Sequence, residues 1–128
     1  EIKFKTKKIG SLKYINQGAQ TNGKLNSVKD IYRLLTLKST NKINSGFFIF
    51  ITNDYLYWKK CKIGKTNSHE YSFENLISLK KKFNTPKWTS RTYDKPIDLS
   101  NIKSGKINWV GDDYGKDKNS FRYFIIEV

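Results

Sequence analysis

The stretch GFFIFIT at 46–52 constrains this chain more than any other. It is an unbroken run of rings and β-branched residues, bounded by Gly46 on one side and Asn53-Asp54 on the other. A run this short and this apolar predicts a strand buried on both faces, in the middle of a sheet rather than at its edge. The closing SFRYFIIEV predicts another strand, and the opening EIKFKTKK a third over about 2–8. In that opening strand Glu1, Lys3, Lys5 and Lys7 alternate with Ile2, Phe4 and Thr6. One face is therefore largely apolar, and the other carries a carboxylate followed by ammonium groups.

Between these strands the pattern changes period. The polar NQGAQTNG predicts a loop, and NSVKDIYRLLTLK a helix over 27–38. Ser27 is its candidate N-cap, with Asp30 at the capping-box spacing, and Val28, Ile31, Leu34 and Leu35 form its apolar stripe. SFENLISLKKKF predicts a second helix over 72–83, with Phe73, Leu76, Ile77 and Phe83 inward and Lys80 to Lys82 in the last turn. YLYWKK at 55–60 fits either a strand or a turn of helix. From Thr85 to Gly115 the text is broken by Pro86, Pro96 and glycines, with short segments around PIDL and KINWVG. With no repeat or linker in sight, the fold class is α/β: residues 1–128 form one domain with a mixed central sheet flanked by helices.

Rings supply 15% of the residues, so the core should be built largely from them. No stretch approaches the roughly 20 apolar residues of a membrane span, and the opening has no signal-like pattern. Cys61 stands alone, which excludes an intrachain disulfide, and His69 is the single histidine, which excludes a His-based zinc site. A reducing, cytoplasmic setting is the simplest reading.

Charge is the strongest global signal, with 25 basic residues against 11 acidic ones and a net charge of +14. A surface this basic attracts polyanions, nucleic acid above all. Nearly all of the base is lysine, the arginines being Arg33, Arg91 and Arg122. An AT-rich coding sequence would favour Lys, Asn and Ile, but it does not account for the shortage of acids. Rings stand beside bases in YLYWKKCK, KKKFNTPKW and SFRYF. Single-strand binders interleave stacking and phosphate contacts in this way, although core rings with solvated lysine neighbours give the same pattern.

Several motifs carry little. KIGKT at 62–66 ends like a phosphate loop, yet Lys59 stands where that loop needs glycine. DDYGKD at 112–117 lacks the closing glutamate of a calcium loop and fits a turn. His69 beside Glu70 implies no nucleophile, and Cys61 between lysines fits an ordinary structural cysteine.

An acid-x-lysine on one strand face has a chemical use. The carboxylate can hold Mg²⁺ while the lysine orients water or steadies charge on a phosphate. A solvated charged face explains the same spacing. The neighbourhood adds to it. EIKFKTKK, YINQGAQTNGKLNSVKDIYRL, GFFIFITNDYLYWKK, SRTYDKPIDL, INWVGDDYG and FRYFIIEV, in this order, resemble a bacterial nuclease family of the restriction-endonuclease-like PD-(D/E)XK superfamily. NQGAQ, KDIYRL and FITNDYLYW are the most distinctive pieces, and the resemblance runs from Glu1 to Val128.

That resemblance implies a partial restriction-endonuclease-like core, corresponding to the C-terminal two-thirds of the family. The family's second metal-binding aspartate would lie on a strand before Glu1. It implies Glu1 and Lys3 as the catalytic pair, Glu1 as metal ligand to Mg²⁺ or Mn²⁺, and Gln17 and Gln20 as supporting site residues. Asp30 and Arg33 would sit on the following helix, and Asn53, Asp54 and Tyr55 at the end of the next core strand. Lys5, Lys7, Arg33 and Arg91 would contact DNA phosphates. The expected function is metal-dependent hydrolysis of DNA. The alternatives are a non-catalytic nucleic-acid-binding module on the same scaffold, or an interaction domain whose partner is an acidic protein.

Overall fold

The computed structural model describes residues 1–6, 20–60, 69–84, 96–112 and 120–128. Its centre is a three-stranded mixed sheet in the order β1 (Ile2–Lys5), β2 (Phe47–Thr52), β5 (Arg122–Glu127). β1 runs parallel to β2 with Lys3 opposite Phe50, and β5 runs antiparallel with Phe124 opposite the same phenylalanine. The GFFIFIT run is thus the middle strand, as its composition predicts, but it is buried on one face only: Phe48, Phe50 and Thr52 are buried, while Phe47 is exposed and Ile49 and Ile51 are half-buried. The general α/β class holds.

One face of the sheet builds the core. Phe48 and Phe50 of β2 and Phe124 and Ile126 of β5 are fully buried on it. The Phe50 and Phe124 rings stack at 5.4 Å, and Tyr57, Phe73 and Trp109 close round Phe50 at 4.9, 5.6 and 6.1 Å. Val28 and Ile31 come from the helix α1 (Gln20–Ser39). Aromatic pairs at these separations add favourable edge-to-face and offset contacts to the apolar area they bury.

The opposite face carries two cross-strand rows, Ile2–Ile49–Ile125 and Phe4–Ile51–Tyr123. Ile2 is 68% exposed, and Phe4 and Ile125 are each 49% exposed. In β1, then, the apolar side points outward and the lysine side turns toward α1.

Helix α1 starts earlier than its stripe predicts. Ser27 is not the N-cap; it lies fully buried inside the helix, and its hydroxyl donates to the Gly23 carbonyl at 2.8 Å. Residues 20–23 of the predicted polar loop are its first turn. Gly23 is required there by proximity, because a Cβ would collide with the Tyr57 hydroxyl.

The predicted helix over 72–83 is absent. Tertiary pairing takes its backbone groups: Leu76 N–H donates to Ile107 O at 2.8 Å, Ile107 N–H to Ile77 O at 2.9 Å, and Leu79 N–H to Gly105 O at 2.8 Å. Trp109 locks the same segment, its indole N–H donating to Phe73 O at 2.6 Å. The segment ends in β3 (Lys82–Phe83), antiparallel to β4 (Ile97–Asp98) within the PIDL segment. Leu76, expected inward, is exposed with a positive φ of 64°, and Leu79 is buried instead. The 55–60 stretch holds a 3-10 turn at Tyr55–Tyr57, and a second such turn spans His69–Tyr71.

Candidate functional site

Parallel pairing sets Lys3 and Lys5 on the sheet face that α1 covers, and there the helix offers acid and base one turn apart. Lys3 Nζ pairs with Asp30, and Arg33 pairs with Glu1. The same guanidinium nitrogen lies 3.7 Å from the other oxygen of Asp30. Glu1, Arg33, Asp30 and Lys3 thus form an alternating chain of charges that joins β1 to α1. Glu1 is also tied through its backbone, since its nitrogen donates to Phe47 O at 2.7 Å and its carbonyl accepts from Ile49 N–H at 2.9 Å. The Glu1 carboxylate raises the pKa of Arg33 further above its ordinary value, first by hydrogen bonding and then by its charge.

This arrangement bears on how Mg²⁺ or Mn²⁺ could be held. Both carboxylates, Glu1 and Asp30, are already held by cations of the chain itself. Among the described residues no group of His, Cys, Asp and Glu gathers three potential ligands. A divalent ion at Glu1 would have to displace Arg33 from its carboxylate.

A second cluster lies beyond the carboxyl end of β2. Gln20 Nε2 donates to Asp54 Oδ2 at 2.8 Å, joining the start of α1 to the Asn53-Asp54 turn. Asp54 Oδ1 accepts from Leu56 N–H at 3.1 Å and so caps the 3-10 turn, and Asp54 N–H donates to the buried Thr52 hydroxyl at 3.0 Å. Lys24 lies 2% exposed, its ammonium reaching Leu56 O at 3.3 Å and standing 5.9 Å from the Tyr57 ring centroid. Burial, and then the Asp54 charge, push the Tyr57 hydroxyl well above the usual tyrosine range. Among the described residues that hydroxyl has no hydrogen-bond partner.

Of the residues the sequence singles out, the structure brings Glu1 and Lys3 to Asp30 and Arg33, and Gln20 to Asp54. Lys5 is half-buried on the helix-facing side. Gln17, Lys7 and Arg91 lie outside the described residues, as do Cys61 and the KIGKT segment. Sequence reasoning missed Lys24, which carries no signal beyond its place in a polar stretch. It also missed the setting of Arg122, whose guanidinium lies 5.2 Å from the Trp58 ring and 5.8 Å from Trp109. Alternation in β5 was the available clue, since Arg122 shares the inward side with Phe124 and Ile126.

Three of the other described acids share a pattern, while Asp98 stands opposite Lys82 in the β3–β4 pair. Asp54 takes the donors just described, Glu70 accepts from the Asn84 N–H at 2.9 Å, and Glu74 from the Ser72 hydroxyl at 2.9 Å. These bonds come from neutral donors, so the carboxylates are engaged in turns and caps. Lys80, Lys81 and Lys82 meanwhile stand exposed in sequence. No helix among the described residues is long and apolar enough to cross a membrane. Comparison with protein-family models, with curated proteins and with solved structures gives no match.

Proposed function

We propose that this domain binds nucleic acid, DNA first, by holding its phosphate backbone against a lysine-rich surface. The observation that carries the reading is the net charge of +14 on 128 residues. The engagement of Asp54, Glu70 and Glu74 with neutral donors supports it. Neutralising phosphates releases condensed counterions, so such binding weakens steeply as salt rises. Lys80 and Lys81 supply exposed charge, with Lys82 exposed opposite Asp98, whereas Lys3 and Arg33 are engaged with Asp30 and Glu1.

A second reading is metal-dependent phosphodiester hydrolysis of the restriction-endonuclease-like kind. The convergence of Glu1 and Asp30 on one guanidinium beside Lys3 favours it. It requires Arg33 to give up Glu1.

One assay separates the two. Supercoiled plasmid is incubated with the protein in Mg²⁺, Mn²⁺ or EDTA, and gel shifts are run on the same DNA, with Lys3→Ala alongside. Binding without nicking, unchanged within about twofold in Lys3→Ala, is the expected result. Metal-dependent nicking lost in Lys3→Ala would establish the second reading, and absence of both shift and nicking would defeat both.

A further inference from the structure

The outer face of the central sheet is apolar to an extent that the rest of this chain makes unusual. The described chain is rich in lysine, yet the outward positions of β1, β2 and β5 are aliphatic or aromatic except for Glu127. Ile2, Phe4, Phe47 and Ile125 are all about half exposed or more, and Val110 extends the second row beyond Tyr123 at 47% exposure. Contiguous exposed apolar surface of this kind marks an interaction site. Among the described residues, α1 packs on the opposite face of the sheet.

The dimensions and the charge select the occupant. Three strands about 4.8 Å apart, β2 and β5 of six residues and β1 of four, present at most roughly 15 by 20 Å. A second copy of the chain would bring a second charge of +14 against the first. Nucleic acid fits poorly as well. Its phosphates need cations among the rings, and the one charge among these outward strand positions is the carboxylate of Glu127. An α-helix is about 10 Å across and covers 20 Å in about 13 residues, which matches the face.

We infer that this face docks an amphipathic helix of a partner protein, its apolar stripe laid on the two isoleucine and aromatic rows and its polar side acidic. The stripe gains apolar burial at the sheet, and the acidic side is drawn by the positive field of the whole domain. Recognition is of the helix-in-groove kind, read by anchors at i, i+3, i+4 and i+7.

The test titrates the 128-residue chain into a fluorescent helical peptide with Leu at the anchor positions and Glu elsewhere, followed by anisotropy. A sister peptide carries Lys in place of Glu. The Glu peptide is expected to bind at least tenfold more tightly than the Lys peptide. Ile125→Glu and Ile2→Glu, both at exposed positions, are each expected to weaken it at least tenfold while the circular dichroism spectrum is unchanged. Leu76→Glu, an exposed apolar position away from the sheet, is expected to leave it unaltered. The inference is overturned if neither peptide binds, if both bind alike, or if Ile125→Glu leaves the affinity intact. It is equally overturned if sedimentation shows a dimer that Ile125→Glu dissolves, or if affinity for an oligothymidine falls in that variant.

Discussion

Tyr57 shows how single residues hold this fold under strain. Its ring belongs in the core, 4.9 Å from Phe50, while its hydroxyl is carried to Gly23 and finds no partner among the described residues. A buried polar group without a partner costs about 1–3 kcal/mol. Tyr57→Phe is therefore expected to raise stability by about 1 kcal/mol, as an increase in the urea midpoint with m unchanged. Gly23→Ala should lower stability in the parent and much less in the Tyr57→Phe background. The hydroxyl is then gone and alanine's helix propensity, worth about 1 kcal/mol over glycine, is free to act. A double-mutant cycle reads this coupling. The same hydroxyl sets an alkaline limit. Burial raises its folded pKa above the unfolded value of about 10, so its share of stability is complete below pH 10. That share falls away as pH rises beyond it. Tyr57→Phe should flatten the drop in the urea midpoint between about pH 9 and pH 11.

At the scale of elements, hydrophobic runs were legible and competition between partners was not. GFFIFIT reads as a central strand from its unbroken apolar run, although only the side of Phe48, Phe50 and Thr52 is buried, and β5 follows from its alternation. The stripe of Val28 and Ile31 announces α1, but its start was misplaced. Ser27 looks like a cap from its neighbours alone, whereas the turn before it is built of polar residues whose helical state depends on Gln20 meeting Asp54 and Gly23 meeting Tyr57. Since Ser27 bonds back to a carbonyl already inside the helix, Ser27→Ala should change stability by no more than about 0.5 kcal/mol, whereas loss of a true cap costs about 1. The 72–83 segment has helical spacing and basic residues at its end, yet its carbonyls and N–H groups are claimed by residues about thirty positions downstream. Local pattern cannot register that competition. Gly105 carries part of the cost of the alternative, because a Cβ there would stand 2.8 Å from Ile102 Cγ2 and 3.1 Å from the Lys80 backbone nitrogen. Gly105→Ala should destabilise by about 1–3 kcal/mol in the same urea titration, as overpacking does.

For the molecule as a whole, charge was the most readable property and its arrangement the least. Composition gives the excess of lysine, and the acid-x-lysine spacing puts Glu1 and Lys3 on one strand face. Only the approach of α1 shows that Asp30 and Arg33 meet that pair with opposite charges and close it as a link between helix and sheet. Lys80, Lys81 and Lys82 remain exposed. Lys80→Ala with Lys81→Ala should therefore weaken DNA binding and reduce its salt slope by about two units, while Lys3→Ala leaves both nearly unchanged. The most direct measurement is the salt dependence of the dissociation constant of the unmodified chain for a short DNA duplex, taken from about 50 to 200 mM salt. Several phosphates held at once predict a plot of log K against log salt falling with a slope of about −4 or steeper. No complex near 50 mM salt, or a slope near zero, would contradict the account.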